Sequence, residues 1–70
     1  MKFYIEPNLE EAKRKIKKAK EEQSDTLALS GLHLKEIPAE VFELKELVIL
    51  NLESNRLTEL PKEIAQLKNL

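Results

Sequence analysis

Apolar and polar positions follow two different rhythms along this 70-residue chain. Between residues 9 and 23, Leu9, Ala12, Ile16 and Ala19 recur at steps of three and four, which lines them along one face of a predicted α-helix. The stripe is slim and the rest of the rod is charged. Asn8 stands where an N-cap belongs: its side-chain oxygen can accept from the amide of Glu11 while Glu11 reaches back to the amide of Asn8. Opposite charges four residues apart, Glu10 with Arg14, Glu11 with Lys15, Lys17 with Glu21 and Lys18 with Glu22, are expected to support the exposed face. Ahead of the helix, Phe3, Tyr4 and Ile5 form a short apolar cluster closed by Pro7, expected to cover part of a core.

After a break at Ser24 and Asp25 the period becomes two. Thr26-Leu27-Ala28-Leu29 alternates as a half-buried strand does, and Ile49-Leu50-Asn51-Leu52 repeats the pattern 23 positions later. The offset holds well beyond the strands. Leu50, Leu52, Leu57, Glu59, Pro61, Glu63, Leu67, Lys68 and Leu70 fall on Leu27, Leu29, Leu34, Glu36, Pro38, Glu40, Leu44, Lys45 and Leu47, while Leu60 and Ile64 fall on Ile37 and Val41. The chain therefore divides into an N-terminal segment, residues 1–24, and two copies of one unit, about 25–47 and 48–70. A unit this short cannot bury its own apolar face, so copies stack as a solenoid.

Strands that return at the same phase pair in parallel, with the rest of each unit as the crossover. Leu27, Leu29, Leu50 and Leu52 then point inward, Leu34 and Leu57 drop into the core, and Val41, Phe42, Leu44 and Leu47 pack the back of the first unit as Ile64, Leu67 and Leu70 pack the second. Pro38 and Pro61 suit the first position of a short helical turn, where a preset φ helps and a missing donor does no harm. The helix ahead of the units, with one apolar face and one wet face, reads as a terminal cap.

The second copy, Leu47-x-x-Leu50-x-Leu52-x-x-Asn55-x-Leu57-x-x-Leu60-Pro61-x-x-Ile64-x-x-Leu67-x-x-Leu70, resembles the leucine-rich repeat family at its 23-residue spacing. The first copy, Leu27-x-Leu29-Ser30-Gly31-Leu32-x-Leu34-x-Glu36-Ile37-Pro38, is similar to the opening repeat of bacterial and Roco-type members, some of which carry a GTPase elsewhere. The resemblance covers residues 24–70. It implies an α/β leucine-rich repeat solenoid fragment: an N-terminal capping helix plus two strand-turn-helical repeats with a parallel strand pair. It also implies that the Asn55 amide is buried against adjacent turns, whereas Leu32 stands where the first copy's asparagine belongs.

Family members bind other proteins on the concave sheet face, so the resemblance implies a surface of Thr26, Ala28, Ser30, His33, Ile49, Asn51, Glu53 and Arg56. Two strands offer little area beside the ~800 Å² per partner of a standard interface. The family typically stacks several repeats and closes them with a C-terminal cap, and no closing element is evident here. Leu50, Leu52, Leu57, Leu60, Ile64, Leu67 and Leu70 are accordingly expected to form an open flank, through which the chain self-associates as a homo-oligomer or meets another protein.

Composition narrows the remaining chemistry. With no cysteine there is no disulfide, zinc-thiolate site or cysteine nucleophile. The single histidine, His33, builds no triad or metal cluster, and the single glycine, Gly31, builds no phosphate loop. No carboxylate pair is selected by spacing, so the chain is read as a non-enzyme without cofactor, metal or small-molecule substrate. No stretch has the length and apolarity of a signal peptide or membrane span, which leads to an expected cytoplasmic location.

Net charge is -1, yet residues 1–24 carry seven basic against five acidic groups and residues 25–70 five against eight. Six of the eight residues Lys13–Lys20 are basic, which admits an adaptor reading toward RNA or anionic membrane. Flanking glutamates at pairing distance and the lack of interleaved aromatics favour a solvated face, so neither nucleic acid nor membrane is an expected partner. The third reading is a structural or engineered repeat building block whose exposed flank drives oligomer assembly.

Overall fold

The computed structural model describes residues 5–70, so Phe3 and Tyr4 of the expected apolar cluster lie outside the described residues, while Ile5 is half-exposed. One α-helix, α1 (Leu9–Glu22), precedes two strands, β1 (Thr26–Ala28) and β2 (Ile49–Asn51), each followed by a 3₁₀ turn, Ala39–Glu43 and Lys62–Gln66. The strands form a parallel two-stranded sheet in the register Thr26↔Ile49, Leu27↔Leu50 and Ala28↔Asn51. At this level the fold is a mixed α and parallel-β arrangement.

Asn8 caps α1 as its position predicts, accepting from the Glu11 amide at 3.2 Å. The return half of the capping box does not form. The Asn8 amide donates instead to the Leu32 carbonyl at 2.8 Å, and the Glu11 carboxylate takes Arg14. A tertiary hydrogen bond has replaced a local one. The helix closes at Gln23, whose left-handed conformation (φ 50°) turns its amide onto the Ala19 and Lys20 carbonyls.

Ala12, Ile16 and Ala19 are buried, but Leu9, expected on the same stripe, is 48% exposed, for it sits in the first turn beyond the three that reach the core. The predicted charge ladder is also rearranged. Arg14 pairs with Glu11 rather than Glu10, Lys15 Nζ reaches the Ala28 carbonyl at 3.4 Å, and neither Lys17–Glu21 nor Lys18–Glu22 closes. Long exposed side chains gain too little from such pairs to be held in one geometry.

The sheet is longer in hydrogen bonds than in strand residues. Asp25 carbonyl accepts from Val48 and Ile49, Leu29 donates to Asn51 at 2.8 Å, and Gly31 donates to Glu53 at 3.0 Å. Beneath it, Leu27, Leu29, Leu32, Leu34, Ile37, Val41, Leu44 and Leu47 join the α1 stripe and Leu67 in one buried cluster. Phe42, Leu50, Leu52, Leu57 and Ile64 pack partly against that cluster. The core thus belongs mostly to the first unit.

Pro38 (φ -56°, ψ 135°) and Pro61 (φ -69°, ψ 153°) stand just ahead of the 3₁₀ turns rather than at their first helical position. Their carbonyls accept from the amides of Val41 and Ile64, both at 3.1 Å, so each turn begins one residue later than the proline rule predicts. The units also share a left-handed position: Gly31 (φ 68°) takes it without strain, whereas Ser54 (φ 58°), one offset later, takes it against its Cβ. A Cβ on Gly31 meets nothing within 4 Å, so only backbone strain opposes it. Urea unfolding should show Gly31→Ala losing about 1 kcal/mol and Ser54→Gly gaining a similar amount.

Candidate protein-interaction surfaces

The strand register sets Thr26 beside Ile49 and Ala28 beside Asn51 on the outer face of the sheet, and Ser30 and Glu53 continue the row. Thr26, Ala28, Ser30, Ile49, Glu53 and Arg56 are exposed, Ile49 most conspicuously at 59%, while His33 and Asn51 are partly buried. Asn51 is less free than its position suggests, since its Oδ1 accepts from the Glu53 amide at 3.0 Å. His33 sits at φ 56°, turned into the bend after β1. The eight residues form one narrow strip.

The flank is uneven. Leu60 (62%) and Leu70 are exposed, and Leu50, Leu52, Leu57 and Ile64 are half-buried. Leu67, expected there with them, is buried at 3% and does not belong to the surface. It repeats Leu44 one unit later, and, like Leu44, it follows a 3₁₀ turn whose last hydrogen bond draws its amide onto the turn (Leu67 N to Ile64 O, 3.1 Å). That fold-back points its side chain into the shared core.

Asn55 joins the two units. Its Oδ1 accepts from Leu32 N (3.1 Å) and Leu34 N (3.0 Å), and its Nδ2 donates to the carbonyls of Leu29 (2.8 Å), Leu52 (3.0 Å) and Glu53 (3.3 Å). One carboxamide satisfies the bend after β1, which has Leu32 and no amide side chain of its own.

Lys20 Nζ meets Glu43 Oε1 at 2.9 Å, an exposed link between sequence-distant elements that no helical spacing signals. Around it, Lys13, Ile16, Lys17, Lys20, Glu40 and Glu43 line a shallow groove of about 280 Å³. The Lys20 hydrogen bond, reinforced by its charge, holds the Glu43 carboxyl below the ordinary carboxylate range, and Glu43 in turn raises Lys20. A carboxyl with a depressed folded pKa adds stability above its unfolded pKa and loses it as pH falls through the folded value. A lysine with a raised pKa contributes below its unfolded value and loses this as pH rises through the folded one. The bridge is therefore expected to hold between those limits and open on acidification past the carboxylate range. Amide exchange near Lys20 should accelerate there, and Glu43→Gln should remove that dependence.

Among the described residues no group of three or more histidine, aspartate or glutamate side chains is placed to hold a metal ion, and no helix is long and apolar enough to cross a membrane. Comparison with protein-family models, curated proteins and solved structures finds no match for this chain.

Proposed function

We propose that the chain is a non-catalytic protein-interaction unit of the leucine-rich repeat kind, a capped solenoid segment that works through its open flank. The observation that carries this reading is the contrast between equivalent positions. Leu27, Leu29, Leu34 and Ile37 are all buried, whereas Leu50, Leu52 and Leu57 are half-covered and Leu60 is open. The second unit presents the same apolar surface that the first has already covered, and apolar surface of this kind is favourable to remove from water. The asparagine of the second unit, its 3₁₀ turn and its left-handed bend all support a repeated architecture.

Self-association through this flank is the homotypic form of the same activity. Light scattering over a wide concentration range tests it, comparing the chain with a variant carrying Leu57→Lys and Ile64→Lys. The expected result is a concentration-dependent oligomer that the double change dissociates. A folded monomer in both cases would move the working surface to the strip around Ile49.

A further inference from the structure

The ties between α1 and the two units are light. Among the described residues α1 gives the buried cluster Ala12, Ile16 and Ala19, so one isoleucine and two methyl groups hold it by apolar contact. Its long-range polar links are the Asn8 amide on the Leu32 carbonyl (2.8 Å), Lys15 Nζ on the Ala28 carbonyl (3.4 Å) and the Lys20–Glu43 pair. Both lysine links are exposed, where such contacts contribute little.

The units grip each other more firmly. Leu29 N and Gly31 N donate to Asn51 O and Glu53 O, Val48 and Ile49 both donate to the Asp25 carbonyl, and Arg56 N donates to Leu34 O at 2.8 Å. Asn55 adds its bonds to Leu29, Leu32 and Leu34, and Leu67 of the second unit is buried in the cluster with the leucines of the first. None of these contacts involves α1.

What α1 covers is the far edge of β1. Asp25 O and Leu29 N face the second unit, whereas the amide and carbonyl of Thr26 are both taken by Ser24 Oγ (3.2 and 2.8 Å) and the Ala28 carbonyl by Lys15. No strand lies on that side among the described residues. Side chains from α1 and from the link behind it stand in for one, and the link turns at Gln23, left-handed at φ 50°.

We propose that α1 is a releasable guard over β1: it leaves the two units as one cooperative piece before they come apart, and its departure bares the outer edge of β1. A 14-residue helix is marginal in water without a packed face, so α1 melts as it leaves. The units keep every bond between them. Lys15 departs with the helix and Ser24 with the freed link, which removes the groups that satisfy Thr26 and Ala28. A lysine laid across a strand edge is a common way of blunting it, and release converts the blunted edge into an open one.

Native-state hydrogen exchange on the full chain, in urea too dilute to unfold it, tests this. The Ile16, Lys17, Lys18 and Ala19 amides in the middle of α1 should share one opening and be protected at least tenfold less than those of Leu29, Leu34 and Arg56. Thr26 should exchange with the α1 set. Equal protection in the two sets overturns the proposal, and so does a graded loss that spreads inward from the helix ends with no common opening. Thr26 keeping pace with Leu29 would mean the edge stays covered, which defeats the guard. A second arm uses Leu57→Ala, in the second unit, where the side chain packs partly against the cluster. It should lower protection at Leu29 and Arg56 about tenfold and leave the α1 set unchanged. A parallel fall in both sets would mean that α1 opens only when the whole chain does, and the proposal fails.

Discussion

Asn55→Ala is expected to lower stability by about 3 kcal/mol, a large fraction of what a domain this size possesses. The substitution strands Leu32 N, Leu34 N and the Leu29 carbonyl, three part-buried backbone groups with no other partner among the described residues. Each costs about 1 kcal/mol when partly buried and unpaired. A core of this size supplies only roughly 3–5 kcal/mol in all. Urea unfolding followed by circular dichroism should show the variant's midpoint moved close to zero denaturant, with only about 0–2 kcal/mol of stability left. Asn55→Asp should fall between, since its carboxylate keeps the acceptor for Leu32 and Leu34 and loses the donor to Leu29. A wild-type midpoint for Asn55→Ala would show that the carboxamide is not what holds the units together.

Leu34→Ala and Leu47→Ala are expected to cost about 2–5 kcal/mol each, the range for truncating a fully buried leucine, because both have no exposed surface and sit at the centre of the buried cluster. Leu52→Ala and Leu57→Ala, half-exposed, should cost less than their counterparts in the first unit. Leu60→Ala, at 62% exposure, should change stability by no more than about 0.5 kcal/mol. Side by side in one urea series, these variants measure how far burial has departed from the repeat pattern. Equal costs at Leu34 and Leu57 would mean the second unit is as well covered as the first.

The candidate surfaces were partly legible before any coordinates. Alternation at period two placed Thr26, Ala28, Ile49 and Asn51 on one side of the sheet, and the 23-residue offset predicted the parallel register. What escaped were the polar contacts that α1 and its cap make with the rest of the chain. Nothing local distinguishes Lys20, which finds Glu43, from Lys17, which finds no carboxylate, because the choice is made by where the first 3₁₀ turn lies against α1. The capping box failed for the same reason: Asn8 N had a Leu32 carbonyl within reach, and the Glu11 carboxylate was drawn to Arg14.

By itself the sequence determined the helix, the two strands, the phase between them and the chemistry of the bend, since these follow from short-range sterics and from a repeat that brings like residues to like positions. Tertiary structure alone decided coverage. Ile37 and Leu60 occupy the same place in the pattern, yet one is buried and the other open; Leu67 left the flank for the core while Leu70 stayed outside. Periodicity says which way a side chain points, but burial depends on what lies on the far side of it, and in a stacked fold that neighbour comes from another unit.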